Sequence, residues 1–277
     1  MAKALGLIGN FKGKLGNTVG YSLKDSNNKQ TQGVRVYQPV VRNPKTAAQA
    51  EQRAKLAPIN ATYRALKMVI DRGQEGIAYG NKSRLAWLSA TMMAFNGPWY
   101  DKGENVTLPV WLPLTKGSLA PVNVTECGMG KVKLRALGSE AGQAFATIGA
   151  FSTAIKNAYS GVQDGDQITV VAISGENSPL GAKIVSIIVD PNSDDATPCT
   201  ITPVLNGIEF TMVDTLIAAT AILSREGANG AHLRSTSKIV AAEELDNKRT
   251  SEEYKQAAIE SYMSQGANTD WAEESLM

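Results

Sequence analysis

The chain has few of the residues on which most catalytic and metal sites depend. Its 277 residues include one histidine, His232, and two cysteines, Cys127 and Cys199. One histidine excludes a site that needs two, and two cysteines exclude a four-cysteine zinc site and a disulfide-dense scaffold. The cysteines also lack the C-x-x-C spacing of redox motifs. We therefore expect no metal site and no cofactor.

Long apolar runs are missing as well. No stretch reaches the about 18 consecutive apolar residues that a transmembrane helix needs. The apolar part of the start, MAKALGLIGNFKGK, is too short for a signal peptide. Hydrophobic residues nevertheless make up 43% of the chain, which is enough for a packed core. The sequence predicts a soluble protein without membrane contact that is made in the cytoplasm.

Catalytic and cation-binding motifs are incomplete. Residues 9–16, GNFKGKLG, resemble a phosphate-binding loop, but Leu15 follows Lys14 where that motif has Ser or Thr. The acidic segment 190–195 begins like an EF-hand, but Asp195 and Ile201 occupy the positions that need Gly and Glu, so a polar turn is favoured. No G-x-S-x-G nucleophile elbow supports a hydrolase. We expect a protein that is not an enzyme.

Positive and negative charges are divided unevenly along the chain. Residues 1–100 carry 15 Lys and Arg against 4 Asp and Glu, a net charge of +11, whereas residues 101–277 carry 13 against 22, a net charge of −9. Such a split predicts a partner with a negative surface. Nucleic acid, an acidic protein surface and the acidic part of another copy each fit, and the last would give head-to-tail assembly. The alternative is a basic surface that is merely solvated.

Basic and aromatic residues are interleaved in the glycine-rich N-terminal segment. Residues 18–23 and 34–40 alternate with the period of strands around a polar loop, which predicts a hairpin with Pro39 at an edge position. Lys and Arg contact phosphates and Tyr stacks on unpaired bases, so this segment and the following helix form the candidate binding surface. Its members are Lys12, Lys14, Tyr21, Lys24, Lys29, Arg35, Tyr37, Arg42, Lys45, Arg53 and Lys55. The alternative is that Tyr21 and Tyr37 are cross-strand neighbours that fill the hairpin.

Three helices are predicted next. Asn43 and Pro44 suit the start of the first, and Pro58 is expected to interrupt it and to begin the second, which Gly73 ends. The third is predicted over residues 82–95, with Asn81 as its cap. The stripes expected in the core comprise Ala47, Ala50 and Ala54, then Ile59, Tyr63, Leu66 and Ile70, then Leu85, Leu88, Met92 and Phe95, with Trp87 beside them.

From about residue 104 the pattern becomes that of short strands. The predicted strands are 105–112, 121–126, 131–137, 167–174, 182–189, 199–204, 207–213, 215–225 and 231–241, with one helix inserted at 147–158. Many short strands joined by Gly, Pro and Asn turns are typical of a sandwich or a partly open barrel. Both architectures remain open.

The chain ends in a predicted helix and an acidic tail. Thr250 and Glu253 form a capping-box pattern, and Gly266 can close the helix. The tail that follows contains Trp271 and Leu276. It is either a frayed terminus or a docking peptide for a neighbouring subunit, with Trp271 as the anchor.

These patterns together predict an α+β fold. It has an N-terminal hairpin and helices, then a β-rich sandwich or partly open barrel, and a C-terminal helix. The expected division is 1–43 as a basic Gly-rich arm or hairpin, 44–103 as a helical segment, 104–245 as a β-rich domain and 246–277 as the C-terminal helix and acidic tail.

Two segments carry a distinctive sequence pattern. The first reads G-x-F-x-G-K-x-G-x-x-V, then R-x-Y, then N-P-K-T-x-A-Q-x-x-Q-R, and the second is AILSREGANGAHLRSTS at 221–237. The first pattern is carried by Gly9, Phe11, Gly13, Lys14, Gly16, Val19, Arg35, Tyr37, Asn43, Pro44, Lys45, Thr46, Ala48, Gln49, Gln52 and Arg53. Both segments resemble an uncharacterised family of proteins from Bacteroidota-type bacteria and their bacteriophages. The resemblance covers roughly a quarter of the chain and implies a phage setting and no enzymatic activity.

The leading hypothesis is a non-enzymatic structural or assembly protein of a phage virion, made in the host cytoplasm, whose basic arm contacts nucleic acid or an acidic neighbouring subunit. We expect a homo-oligomer whose partners are its own copies or other virion proteins, with single-stranded DNA as a further candidate. The alternative is a single-stranded nucleic-acid-binding protein. That protein would have positive charge across the β-rich region, where Lys131, Lys133 and Arg135 share one face of a predicted strand, whereas the structural protein would have it on the arm alone.

Overall fold

The chain divides into two compact units, Met1–Lys45 and Thr46–Met277, called here the N-terminal unit and the body. The computed structural model describes residues 13–24, 30–37, 46–106, 108–136, 141–175, 179–212, 216–227, 230–241 and 247–264. No helix within these ranges is long and apolar enough to cross a membrane.

The described part of the N-terminal unit is a three-stranded antiparallel sheet. Strands β1 (Gly13–Leu15), β2 (Thr18–Lys24) and β3 (Gln30–Val36) pair in the order β1-β2-β3. Gly16 and Asn17 form the two-residue turn between β1 and β2, and Gly16 has a φ of 58°, which glycine adopts without strain. The predicted hairpin is confirmed as β2 and β3, and β1 is an additional strand. Pro39 lies outside the described residues.

The body begins with helices and continues mainly as paired strands. The helices are α1 (Ala47–Ala65), α2 (Lys67–Ile70), α3 (Asn81–Ala94), α4 (Ile148–Ala158) and α5 (Glu252–Ser264). The strands are β4 (Val124–Gly128), β5 (Lys131–Arg135), β6 (Gln167–Ser174), β7 (Gly181–Ile188), β8 (Ile201–Val204), β9 (Gly207–Thr211), β10 (Leu216–Glu226), β11 (His232–Arg234) and β12 (Val240–Ala241).

The strands of the body form two antiparallel sheets. One has the order β11-β10-β6-β7, with β12 also paired to β10, and the other has the order β4-β5-β9-β8. The described strands close no barrel, and helices lie before, between and after them in sequence. The α+β fold predicted from the sequence is therefore confirmed.

Strands β6 and β10 are buried because each of their faces meets a different apolar core. Val170 and Ala172 of β6 face the core shared with the second sheet and with Phe151 of α4. Val171 and Ile173 face the core formed with the helices, and Ile59, Leu66, Ile70 and Trp87 lie in that core. Burial on both faces explains why β6 is an apolar run, ITVVAI, instead of an alternating strand.

Helix α1 differs from the prediction at its start and at its proline. Thr46 caps it, with its hydroxyl accepting a hydrogen bond of 3.3 Å from the Gln49 N–H, whereas Asn43 and Pro44 lie outside the described residues. Pro58 was expected to interrupt the helix but lies inside it. Proline removes one N–H from the helix, and burial of Pro58 and Ile59 in the helical layer outweighs that loss.

Helix α3 confirms the stripe predicted for it except at Leu85, because Leu88 and Met92 pack against the core formed with the helices and Phe95 lies in that core. Leu85 is 51% exposed, and the fully buried side chains of the helix are Ser83, Trp87 and Thr91. The Ser83 hydroxyl donates to the Ile70 carbonyl oxygen at 2.6 Å and the Trp87 indole N–H donates to the Pro113 carbonyl oxygen at 3.2 Å. Hydrogen bonds satisfy the polar side of the helix, so that side can be buried. The residue before the helix is Gly80, so Asn81 is not its cap.

Residues 105, 106 and 108–112, the described part of the strand predicted over 105–112, form no strand. Leu108 and Val110 are buried, which explains the alternating pattern, but side chains bind their backbone instead of a neighbouring strand. The Leu108 N–H donates to the Tyr100 hydroxyl at 2.8 Å, and the Val110 N–H donates to the Thr62 hydroxyl at 3.1 Å. The alternation of apolar residues here therefore results from the burial of alternate side chains and not from pairing with a neighbouring strand.

The remaining predicted strands and helices of the body are found with shifted ends. The predicted strand 231–241 is two short strands, β11 and β12, and the segment between them bonds to residues 114–117 instead. Helix α5 is capped by Ser251, which accepts from the Tyr254 N–H at 3.4 Å, so the capping position lies one residue after Thr250. Gly266 is outside the described residues.

Candidate interaction surface on the N-terminal sheet

Two of the predicted basic residues lie in one row across the N-terminal sheet. Lys14 pairs with Val19, and Val19 pairs with Arg35, so the three side chains share a face. Lys14 and Arg35 are both exposed. The described residues of this unit include no acidic side chain that could neutralise them. The row therefore presents two positive charges to solvent or to a partner.

Tyr37 belongs to the same face and contacts Lys14. The Lys14 ammonium nitrogen lies 3.7 Å from the centroid of the Tyr37 ring, a cation–π contact. The Tyr37 N–H donates to the Asn17 carbonyl oxygen and so fixes the chain after β3 beside the β1–β2 turn. This contact joins the G-K-x-G and R-x-Y parts of the sequence pattern in space.

Tyr21 also lies on this face, two residues after Val19, and it is paired with Gly33. A Cβ atom at position 33 would come within 2.6 Å of the Tyr21 ring, so the ring lies directly against the glycine backbone. The alternative in which Tyr21 and Tyr37 are cross-strand neighbours is wrong, because Tyr21 faces Gly33 and Tyr37 lies opposite Asn17. Each ring packs within the sheet separately.

Lys24 lies at the end of β2, where it pairs with Gln30. The face of the sheet opposite to Lys14 and Arg35 carries Leu15 and Val36, which are 48% and 76% exposed. Of the candidates, Lys12, Lys29, Arg42, Lys45, Trp271 and Leu276 lie outside the described residues.

The two candidates on helix α1 belong to the body. Lys55 forms an ion pair of 2.9 Å with Glu51, and the hydrogen bond from Lys55 lowers the pKa of the Glu51 carboxyl. Arg53 is half-buried. Lys55 is thus engaged with its own helix, and its charge is partly neutralised.

The basic strand β5 of the body is also neutralised. Lys131 lies 2.9 Å from the Glu209 carboxylate of β9, and Lys133 lies 3.8 Å from the Glu126 carboxylate of β4. Arg135 at the end of the strand is exposed. Neighbouring strands therefore supply acidic partners to two of the three basic residues on this face.

The surroundings of the two cysteine thiols and of His232 indicate structural roles for these side chains. Burial raises the pKa of the Cys127 thiol to about 11, and the pKa of Cys199 is also raised by burial, so both thiols are protonated at neutral pH. His232 stacks near Tyr79, with ring centroids 5.5 Å apart, at the edge of an open cleft of about 420 Å³. Within the described ranges, no three His, Cys, Asp or Glu side chains are grouped as metal ligands.

Glu75, in the same cleft, is a junction that sequence reasoning missed. Its carboxylate accepts hydrogen bonds from the N–H groups of Ser118 and Arg234, both at 2.9 Å, and from the Ser118 hydroxyl at 2.7 Å. Burial raises the pKa of Glu75, but these hydrogen bonds outweigh it and hold the pKa below its ordinary value. The carboxylate thus joins three segments that are distant in sequence, and its role is structural.

The sequence contained one further signal for the N-terminal surface. Leu-Gly-Asn-Thr at 15–18 is a glycine-containing two-residue turn between strand-like residues, which is typical of a hairpin. Recognising it would have predicted β1 and the row from Lys14 to Arg35. In comparisons with known proteins, no protein-family model, curated protein or solved structure matches this chain.

Proposed function

We propose that this chain is a non-enzymatic structural or assembly protein of a bacteriophage virion, whose basic N-terminal unit contacts an acidic surface of a neighbouring subunit. The observation that carries the proposal is the row of Lys14 and Arg35 on one exposed face, without an acidic neighbour among the described residues of that unit. Exposed cations without an acidic neighbour are available to an anionic surface. The phage setting rests on the sequence resemblance of residues 9–53 and 221–237.

The distribution of charge in the body supports this assignment. Ion pairs with Glu209 and Glu126 neutralise Lys131 and Lys133, so the sheet face on which a nucleic-acid-binding protein would depend has little free positive charge. Residues 101–277 carry a net charge of −9. We infer that the acidic residues of this part of another copy are the partner of the N-terminal unit.

The aromatic residues favour the same choice. Tyr21 already covers Gly33 and Tyr37 already contacts Lys14, so both rings have packing roles within the sheet. Single-stranded nucleic-acid binding is the second candidate, because cations and tyrosines do share one face. In that case the outer faces of the rings would stack on bases.

The test is the mass of the full chain in solution, measured by light scattering at low and high salt, with and without a single-stranded oligonucleotide. We expect an assembly of protein alone that dissociates at high salt and takes up no oligonucleotide, because the contact is between exposed charges. Replacing both Lys14→Ala and Arg35→Ala should abolish this salt-sensitive assembly. It should change the free energy of unfolding by less than about 1 kcal/mol, as is usual at exposed positions.

The matched control removes the same charge from the body, with Lys131→Ala and Arg135→Ala. This variant should assemble as the unaltered chain does. A monomer that takes up the oligonucleotide, and loses it when Lys14 and Arg35 are replaced, would support the second candidate. Assembly that persists in the Lys14 and Arg35 variant would remove the N-terminal unit from the mechanism.

A further inference from the structure

Strand β7 is the outer strand of its sheet, and one of its sides is unpaired among the described residues. It has eight residues, Gly181–Ile188, and pairs with β6 in one register without a bulge. The strand order β11-β10-β6-β7 places β7 at the end of the sheet. A regular outer strand presents a row of backbone N–H and C=O groups that can pair with a further strand.

The register shows which backbone groups of β7 point away from β6. Val189 directly follows the strand, and its N–H donates to the Asp166 carbonyl oxygen at 2.7 Å. Every second residue of an antiparallel strand bonds to the same neighbour, and the residues between them point the other way. The residues with outward backbone groups are therefore Ala182, Ile184, Ser186 and Ile188. In the described part of the chain, these groups have no hydrogen-bond partner.

Strand β8, at the end of the other sheet, shows how such an edge is covered. The Ile201 carbonyl oxygen accepts a hydrogen bond from the Phe145 N–H at 2.8 Å. The Pro203 carbonyl oxygen accepts from the Gly142 N–H at 3.2 Å, and proline lacks the N–H that a further strand would need. The segment before α4 therefore occupies the outer side of β8.

Strands β11 and β4 are also poor templates. In β11, which has three residues, the Arg234 carbonyl oxygen accepts from the Leu119 N–H at 2.8 Å, and the Arg234 N–H donates to Glu75. In β4 the register shifts between Val124 and Glu126. Among the described outer strands of the body, β7 is the longest and has none of these features, so its edge is suited to pairing.

The sequence of β7 fits a second copy of itself in one antiparallel register. If a two-fold axis passes at Val185, Ala182 lies opposite Ile188 of the second copy, and Ile184 lies opposite its Ser186. Each large side chain then meets a small one, and Ile188, which is 61% exposed, gains an apolar neighbour. A shift by two residues in either direction leaves one outward residue of each copy without a partner in β7. This register alone pairs all four.

Charge does not oppose this pairing. Lys183 is the one charged residue of β7, and its ammonium group donates to the Met212 carbonyl oxygen at 2.9 Å. In the two-fold register Lys183 lies opposite Ile187 of the second copy, so the two lysines are not cross-strand neighbours.

We propose that β7 pairs with β7 of a second copy, antiparallel and with the two-fold axis at Val185, so that two sheets join into one. The outward residues of the two copies then form about eight backbone hydrogen bonds across the interface. A two-fold contact of this kind closes on itself and gives a pair of copies. The inference goes beyond the proposed contact of the N-terminal unit, because it uses another surface and backbone groups instead of exposed charges. The charged contact would join such pairs into larger assemblies.

The test removes one outward N–H from the full chain that carries Lys14→Ala and Arg35→Ala, so that the charged contact is absent. Ser186→Pro leaves the hydrogen bonds to β6 in place, because position 186 bonds away from β6. It should raise the concentration at half-association, measured by sedimentation, at least about tenfold, since the ring also blocks an approaching strand. The matched control Ser186→Ala loses the hydroxyl that lies 3.0 Å from the Thr169 hydroxyl but keeps the N–H. This control should associate as its parent does.

Charge at the same position gives a second test that does not depend on proline. In the two-fold register the two residues at position 186 lie diagonally across the axis on one face of the sheet. Ser186→Lys and Ser186→Glu should each weaken association about threefold or more, because long side chains at diagonal positions interact. An equal mixture of the two variants should restore association, because opposite charges then meet. Position 186 is exposed, so the unfolding midpoints should stay close to that of the parent.

The proposal is overturned if a folded Ser186→Pro variant associates as its parent does, or if Ser186→Ala loses as much as Ser186→Pro. It is also overturned if Ser186→Lys and Ser186→Glu leave association unchanged, or if mixing them fails to restore it. Mass and salt separate this pair from the contact of the N-terminal unit. Salt screens exposed charges and not backbone hydrogen bonds, so the pair should persist at high salt and in the parent with Lys14→Ala and Arg35→Ala. In that parent, only assemblies larger than the pair count against the charged contact, whereas a monomer would overturn the β7 pairing alone.

Discussion

The sheet of the N-terminal unit and the sheet β11-β10-β6-β7 of the body share antiparallel pairing but differ in what covers their faces. In the body, side chains of β6 and β10 are buried on both faces by two separate cores. In the N-terminal unit, Gly20 and Gly33 are the buried residues among those whose exposure the structure gives. The sheet of the body is thus stabilised by apolar packing, and the sheet of the N-terminal unit by its turn and its cross-strand contacts.

This difference separates the residues that determine the fold from those available to a partner. A side chain that is buried on both sides, such as Val171, cannot change without disturbing close packing. Lys14 and Arg35 have no such constraint, because their exposed positions contribute little to stability. We therefore expect large effects of substitution on stability in the body and small ones in the N-terminal unit.

The largest effect is expected at Phe151 in the core between the two sheets. Its side chain is fully buried and lies edge-on to Phe210, with ring centroids 5.7 Å apart. Phe151→Ala should lower the free energy of unfolding by about 3–5 kcal/mol, measured by denaturant titration, because the cavity cannot fully collapse. Val36→Ala, at a position 76% exposed in the N-terminal sheet, should change it by less than about 0.5 kcal/mol. If both variants lost the same free energy of unfolding, the difference between the two sheets would be contradicted.

An intermediate effect is expected where residues 114–119 meet β11. A Cβ atom at Gly117 would overlap the Arg234 carbonyl oxygen and lie 2.6 Å from a carboxylate oxygen of Glu75. Gly117→Ala should therefore cost about 1–3 kcal/mol of unfolding free energy, measured by denaturant titration, as overpacking usually does.

Gly161→Ala is the matched control for that substitution. The nearest atom to its added Cβ is the Ala120 Cβ at 3.6 Å, an ordinary contact. Its unfolding free energy should stay within about 0.5 kcal/mol of the unaltered chain. If Gly117→Ala proved as mild as Gly161→Ala, the junction at Glu75 would not be rigid.

The sequence predicted elements well where burial and periodicity agree. The apolar run ITVVAI of β6 and the buried residues Ile59, Leu66 and Ile70 were identified because each pattern reports contact with a core. The capped helix at 147–158 was found for the same reason, with Phe151 and Ile155 on its inner side.

The failures have physical causes in particular side chains. Residues 105–112 alternate like a strand, but the hydroxyls of Tyr100 and Thr62 take the place of a neighbouring strand, and periodicity does not reveal hydroxyl groups distant in sequence. In the stripe predicted for α3, Leu85 is exposed because the hydrogen bonds of Ser83 and Trp87 fix the orientation of the helix, whereas Leu88 and Met92 do pack against the core.

The candidate surface was predicted in composition but not in geometry. Lys14, Arg35, Tyr21 and Tyr37 were all identified, but without β1 their common face could not be derived. Register places Lys24 at the end of β2, away from the row of Lys14 and Arg35, and the ion pair of Lys55 with Glu51 depends on helix geometry. Composition identifies the residues of a charged surface, and register decides which of them act together.

The most direct measurement of this division between the two units is denaturant unfolding of residues 46–277 beside the full chain. We expect one cooperative transition with the same midpoint in both, because the cores of the body are formed by residues after position 45. Loss of the cooperative transition in the shorter chain would contradict the account. It would show that the N-terminal unit is needed for the fold of the body.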